Sequence, residues 1–361
     1  MNITATCNTT CSKGSSAIGI TILTTAFTLG FPGNLFVIWT VLRRLRERSV
    51  TSILILNLAA ADAVVLLTAP FFIRYLAVLN WEFGEAPCKI MHYICNVNMY
   101  ASIFIIAFMS LDRLLGVSRP FLSQKVRTKP KVRRVALALW VLAFLFSIPM
   151  LFYRKVVTSK DRQWCNPVHL SSGHQVFQYL LETSASFVIP FTVMAVSYCR
   201  ISLRLRKGRF RRRSRRKSSR LIILVVVSFA VFWMPYNIVN ILQVAGMLAS
   251  SKALEEFAAY VRPNLTALAF VSSSVNPILY AFAGSAFIRT SGLNFVAKLL
   301  EGTSSEVNSL KKSGRTLREK EEEEKSRMEG CMELAQVTNA KQTGEDAPKQ
   351  DQEANTEAPN C

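Results

Sequence analysis

Residues 17–42 form a run of 26 residues without a single charge. As a helix rising 1.5 Å per residue, that run is longer than the roughly 30 Å hydrocarbon core of a bilayer. Six more apolar blocks follow, at 50–73, 90–111, 135–153, 176–199, 221–251 and 263–288, the last few residues of which leave the bilayer. Apolar residues gathered in this way, in a chain that is 50% hydrophobic, belong to membrane spans rather than to a soluble core. The expected fold is therefore an all-α membrane protein, a seven-transmembrane helix bundle, with its two termini on opposite sides of the bilayer.

Charge supplies the orientation. The chain carries a formal +21, but residues 301–361 hold 14 acidic and 9 basic side chains, a net −5 that leaves +26 on the rest. These cations do not form a nucleic-acid surface; they cluster in short connections, "RRLRER" after the first block, "QKVRTKPKVRR" after the third and "RISLRLRKGRFRRRSRRKSSR" after the fifth. Basic short loops stay cytoplasmic, so the N-terminus lies outside. Residues 1–16 have neither a basic n-region nor an apolar h-region, and the first span itself is expected to direct insertion.

That topology places Asn2 and Asn8, each in an Asn-x-Thr sequon, outside, where they are candidate glycosylation sites. Cys88, just before the third block, and Cys165, between the fourth and fifth, share the same oxidising side. A bridge between them would tie the second outer loop to the top of the third helix. Cys7 and Cys11 can pair or stay free.

Asp62 interrupts the run "NLAAADAVVLL", and a carboxylate at that depth costs about 2.5–3.5 kcal/mol on the insertion scale. Other spans carry unusual residues of their own: Asn34 in "GFPGN", Asp112 and Arg113 in "SLDRLLGV", Trp140, Pro190 with Tyr198, Trp233 and Pro235 in "FWMPY", and Asn276, Pro277 and Tyr280 in "SSSVNPILY". Taken in order on seven spans, this set resembles the rhodopsin-like family of G-protein-coupled receptors over residues 17 to about 300. Within that family, "RSVTSILILNLAAADAVVLLTAPFF", "MSLDRLLGVSRPFLSQKVRTK", "GRFRRRSRR" and "ALAFVSSSVNPILYA" resemble leukotriene B4 receptors, most of all the high-affinity type.

The resemblance implies a role for each polar set. Asp62 would face the bundle interior among Asn34, Asn98, Ser102, Trp233, Ser272, Ser273 and Asn276, as a sodium and water site that collapses on activation; the plainer alternative is a structural, hydrogen-bonded Asp. No other cofactor is implied. Asp112 and Arg113, with Tyr198 and Tyr280, would form the G-protein switch, although Leu114 stands where the family usually has Tyr. Cys88 to Arg113 is about 37 Å of helix, so Arg113 belongs at the cytoplasmic face. Pro149, Pro190, Pro235 and Pro277 each remove a backbone hydrogen bond; the last two, beside Trp233 and Asn276, read as hinges and the others as simple bends.

His92, Asn96 and Tyr100 follow Cys88 at steps of four and fall near one helix face, from about 6 Å to about 18 Å below it. With Arg154, Glu182, Asn240, Arg262 and Asn264 they form a candidate outer pocket. Two cations above several hydroxyl-seeking groups suit an anionic, apolar ligand bearing hydroxyls. By resemblance that ligand is leukotriene B4 or a related lipid, sensed in chemotactic and inflammatory signalling, with a heterotrimeric G protein of the inhibitory type as transducer. Another lipid or a chemoattractant peptide is the alternative. Gln175 occupies a position where these receptors can carry Arg, which throws anion binding onto Arg154, Arg262 or Arg162.

The expected organisation is an extracellular segment 1–16, the helix bundle 17–284, a short amphipathic eighth helix on the membrane surface at 285–300, and a disordered cytoplasmic tail 301–361. The basic loops also meet anionic membrane lipids. Ser304, Ser305, Ser309, Ser313 and Thr316 are candidate sites for receptor kinases and, through them, arrestin. No metal-ligand spacing, nucleophile triad or phosphate-binding loop occurs, so no enzyme and no catalytic residue is expected. A transporter would show repeated halves, which are not visible. A retinal protein needs a Lys in residues 263–288, and none is there.

Overall fold

The computed structural model describes residues 3–45, 48–159, 161–207 and 212–283, with the backbone alone at 3–15, 205–207, 212–222 and 280–283. The sequons' Asn2 and the side chain of Asn8, the side chain of Tyr280, the eighth helix at 285–300 and the five candidate phosphorylation sites lie outside what it describes.

Helix α1 (Ile3–Trp39) begins well before the expected span and ends in a wide π turn, Thr40–Arg44, whose Val41 and Leu42 carbonyls accept from the side chain of Arg48. The second block is divided in two, α2 (Val50–Leu66) and α3 (Ala69–Val78), because Pro70 cannot donate to Leu66 and the chain turns at Leu67 and Thr68. Ser49 caps α2 through the amide of Ser52. Helix α4 (Glu85–Ser118) crosses the whole bundle, and α5 (Pro120–Val126) makes a short helix of the connection beyond it.

The fourth block is α6 (Lys129–Ser147) and α7 (Pro149–Tyr153), broken at Pro149 as the sequence led us to expect. A two-stranded antiparallel hairpin follows, β1 (Arg154–Ser159) and β2 (Arg162–Pro167), with Val156 opposite Cys165. Asp161 takes φ 63° in its turn, a left-handed conformation that Asp tolerates. The hairpin makes Arg154 the first residue of a strand rather than the end of a span. Helix α8 (Ser172–Thr183), a π turn at Ser184–Val188 and α9 (Ile189–Lys207) form the fifth crossing, the wide turn falling where Pro190 withholds its hydrogen bond. Helices α10 (Arg212–Leu248) and α11 (Lys252–Ala283) stay continuous through Pro235 and through Pro263 and Pro277.

Six of these crossings are long and apolar enough to span a membrane by length and composition alone. The seventh, α11, has the length but spends its apolarity on Ser272, Ser273, Ser274 and Asn276, all buried. Buried polar groups of this kind join helices in a lipid solvent, where apolar contact alone gives little preference for protein over lipid. Small residues serve the same end: a Cβ on Gly30 would lie 2.5 Å from Ser274 Cβ, and one on Gly33 2.9 Å from Pro277, so α1 and α11 approach closely only because both are glycines.

Candidate functional site

Two buried carboxylates mark the interior, Asp62 at 1% exposure and Glu182 at 3%. Asp62, midway along α2, is enclosed by amides. Asn98 of α4 donates to its Oδ1 at 3.2 Å, and Asn276 of α11 donates to Oδ2 at 2.7 Å. The Ser273 hydroxyl donates to Asn98 Oδ1 at 3.3 Å, and Ser102 Oγ lies 3.5 Å from Asn98 Nδ2. Asn34 does not reach the carboxylate; it donates to the carbonyls of Gly30 and Ser273 and pins α11 in place. Ser272 is buried on the same helix, and Trp233 stacks on Phe229 at 5.5 Å between ring centres. Carboxylate and hydroxyl oxygens from Asp62, Ser102 and Ser273 are the donor set a hard cation takes, so the residues fit a sodium ion.

At the outer end, the Cys88–Cys165 disulfide joins the top of α4 to β2, with 5.7 Å between Cα atoms. Trp81, fully buried, packs over this bridge and hydrogen-bonds the hairpin at Gln163. Beneath the hairpin lies a cavity open to the outside. His92, Arg154, Glu182, Tyr236 and Arg262 give it polar walls; Cys95, Met99, Met150 and Phe270 line an apolar stretch; Asn98, Trp233 and Ser273 reach its deeper end. A cavity with a mostly apolar lining and a few converging polar groups suits a small organic ligand.

Each polar wall residue is positioned by a different element. His92 is held by Nδ1 against the carbonyl of Cys88 at 2.9 Å and by an edge-to-face contact with Phe72. Arg154 donates Nη1 to the carbonyl of Cys165 at 3.4 Å, while its buried Nε has no hydrogen-bond partner. Arg262, entering along α11, lies 4.6 Å from the ring centre of Tyr179 and 5.9 Å from that of Tyr236, and donates Nη1 to Asn240. Its Nη2 is buried and also unpartnered, as is Oδ1 of Asn96. Buried polar atoms without a hydrogen-bond partner are unusual in a folded protein.

Not every expected residue faces this space. Tyr100 is buried against Phe104 and Phe146 and does not line the cavity. Four residues of helix turn 400°, so each step of four drifts about 40°, and two steps carry Tyr100 away from the face of His92. Asn264 sets its Oδ1 near Gly19 of α1 rather than on the cavity. Asn240 supports Arg262 from behind. Arg162 is exposed and Gln175 half-buried, and neither lines the cavity. Sequence reasoning missed Tyr179, Tyr236 and Thr266; "FWMPY" had drawn attention to Trp233 and Pro235, and only the neighbouring helices give its Tyr236 a partner.

Above the cavity, His169 stacks on Tyr153 at 4.7 Å and meets Gln178 Oε1 at 2.6 Å. Partial burial holds its pKa below the ordinary histidine value; the Gln178 bond opposes that shift, and the charges of Arg154, His174 and Arg262 reinforce it. At the inner face, Asp112 pairs with Arg127 at 3.0 Å, a partner from the second inner loop that the sequence did not suggest. Arg113 and Arg127 both donate to Thr51, at 3.1 and 3.0 Å. Tyr198 is half-buried beside Ser110.

A family model described as "7 transmembrane receptor (rhodopsin family)" matches residues 33–280. The chain belongs to this receptor family. Among curated relatives, it is 47% identical to leukotriene B4 receptor 1 of Homo sapiens over 304 residues, 83% of this chain and 86% of that one. It is 38% identical to human leukotriene B4 receptor 2 over 298 residues, 81% and 82% of the two chains. A C3a anaphylatoxin chemotactic receptor from Oncorhynchus mykiss is 34% identical over 280 residues, 75% and 74%. As a rhodopsin-family receptor, the chain is a multi-pass membrane protein and not an enzyme, and its seventh span is α11 despite the polar content of that helix.

Proposed function

We propose that this chain is a plasma-membrane receptor for leukotriene B4 that activates a heterotrimeric G protein of the inhibitory type in chemotactic and inflammatory signalling. The observation that carries the reading is the pair of guanidinium groups, Arg154 and Arg262, each with a buried unpartnered nitrogen, on the wall of a cavity whose lower part is apolar. An anionic lipid satisfies both arginines with its carboxylate and lays its chain against Cys95, Met99, Met150 and Phe270. His92, Asn96 and Glu182 then meet its hydroxyls, with Asn240, Tyr100 and Asn264 shaping the site from behind.

An agonist that binds the active arrangement more tightly shifts the population toward it. In this reading the ligand acts on Trp233 and the Pro235 hinge, Asp62, Ser102 and Ser273, which would hold a sodium ion in the resting receptor, draw together, and Asp112, Arg113, Tyr198 and Tyr280 rearrange to admit the G protein. Receptor kinases acting on Ser304, Ser305, Ser309, Ser313 and Thr316, followed by arrestin, end the signal. Asn2 and Asn8 carry the outer glycans.

The test is inhibition of cyclic AMP, with calcium release in parallel, in cells expressing the chain and titrated with leukotriene B4 and its stereoisomers. A potent, stereoselective response is expected. The similarity to a C3a anaphylatoxin receptor supports a second reading, a chemoattractant peptide in the same mouth. Silence toward the lipid from a receptor present at the cell surface, with a response to a peptide panel, would establish that reading instead.

A further inference from the structure

Glu182 shares its cavity with Arg154 and Arg262, yet among the described residues it forms no ion pair. Opposite charges in a poorly solvated interior attract far more strongly than in water, so a carboxylate beside two guanidinium groups should collapse onto one of them unless something holds it off. Each charge is instead held by neutral groups. The hydroxyl of Tyr236 donates to Glu182 Oε1 at 2.8 Å. The ring of the same tyrosine flanks Arg262 on one side and that of Tyr179 on another, while Asn240 accepts from Arg262 Nη1. Trp233 meets the Tyr236 ring edge to face at 5.9 Å and 88°, which fixes its orientation.

We infer that Tyr236 is a positioning residue for the anion site, holding Glu182 away from Arg262 so that the guanidinium stays open to an anionic ligand. The identity of that ligand rests on the lipid-receptor reading above; the separation of charges does not. Without the hydroxyl, the carboxylate loses its Tyr236 donor and shares the cavity with two guanidinium groups that have no carboxylate partner among the described residues. It becomes an internal competitor, and a ligand carboxylate must displace it before binding. Removing the charge of Glu182 removes the competitor.

The experiment is saturation binding of tritiated leukotriene B4 to membranes bearing the wild type, Tyr236→Phe, Glu182→Gln and the double variant, each normalised to surface receptor. Tyr236→Phe should weaken binding by about tenfold or more, Glu182→Gln should show only the smaller loss that goes with its own ligand hydroxyl contact, and the double variant should bind no more weakly than Glu182→Gln alone. A Tyr236→Phe loss that persists in the double variant means that the hydroxyl touches ligand directly and overturns the inference, as does a Tyr236→Phe variant that binds normally. A ligand-free readout separates this outcome from failure of the lipid reading. In purified receptors, Glu182→Gln should lower the thermal midpoint more in the Tyr236→Phe background than in the wild type, because only there does Glu182 pair with Arg262. Equal changes in the two backgrounds overturn the separation whatever the ligand proves to be, whereas absence of wild-type lipid binding beside unequal changes sinks only the lipid reading.

Discussion

Asp62 and Glu182 are both buried acids in membrane spans, and their surroundings differ in one respect. Asp62 is closed: amides from two other helices occupy both its oxygens, and a third layer, Ser273, backs one of those amides. Glu182 is open: a tyrosine hydroxyl meets one of its oxygens, and the residue lines a cavity together with Arg154 and Arg262. Hydrogen bonds to a charged group contribute about 1.5–3 kcal/mol each, so the closed site ties α2, α4 and α11 together, and the open site leaves that capacity to a ligand. The contrast separates a part of the bundle that moves as a unit from a part that reads what arrives from outside.

The largest effect is expected at the open site. Arg154→Ala should lower agonist potency roughly 100-fold at matched surface expression, since truncating one partner of a buried charge contact costs 2–5 kcal/mol, while sodium sensitivity is retained. Equal loss of both would erase the distinction between the two sites. Next, raising sodium should weaken agonist binding to the wild type by roughly fivefold or more, and Asp62→Asn should flatten that dependence. A dependence that survives Asp62→Asn, with intact signalling, reduces Asp62 to a structural residue.

A third, smaller effect sharpens the closed site. Gly30→Ala forces a Cβ against Ser274, next to the Ser273 that both Asn34 and Asn98 use, and overpacking of this kind costs about 1–3 kcal/mol. Its thermal midpoint should fall while ligand affinity changes little; a normal midpoint would show that α1 and α11 give way easily. The smallest effect belongs to His169, above the open site. Its pKa is depressed in the folded receptor, so the folded state takes up this proton less readily than the unfolded chain. Its contribution is present above the ordinary histidine pKa of about 6.5 and is lost as pH falls below it. Thermal melts of the wild type should therefore decline with acidification below that value more steeply than those of His169→Gln, and parallel curves would remove His169 from the account.

Much of the closed site was legible from residue types. Asp62 stands out as a costly carboxylate in an apolar run, and the receptor resemblance implied Asn98, Ser273 and Asn276 around it. Asn34 was legible as a special residue but not by its contact, which is with backbone carbonyls of α1 and α11. The open site was read less well. Arg154, Glu182, Arg262 and His92 do line one cavity, but Tyr100 and Asn264 do not, and Tyr236, its central tyrosine, looked like an ordinary aromatic in an apolar helix. The Asp112–Arg127 pair was invisible for a similar reason, since Arg127 lies in a basic loop where any one cation resembles its neighbours.

The sequence by itself determined which stretches cross the membrane and which polar residues had to be satisfied inside, and its loop charges set the expected orientation. Those properties are sums over local residues: apolar length against bilayer thickness, loop charge against the positive-inside rule, and the cost of each buried polar group. The tertiary structure alone decided who satisfies whom. Asn276 and Asp62 are 214 positions apart and Tyr236 and Glu182 are 54 apart, and each pair meets only because two helices are rotated so that these side chains share one gap. That rotation is set by contacts among helices, such as Gly30 against Ser274, and no single helix carries it in its own pattern.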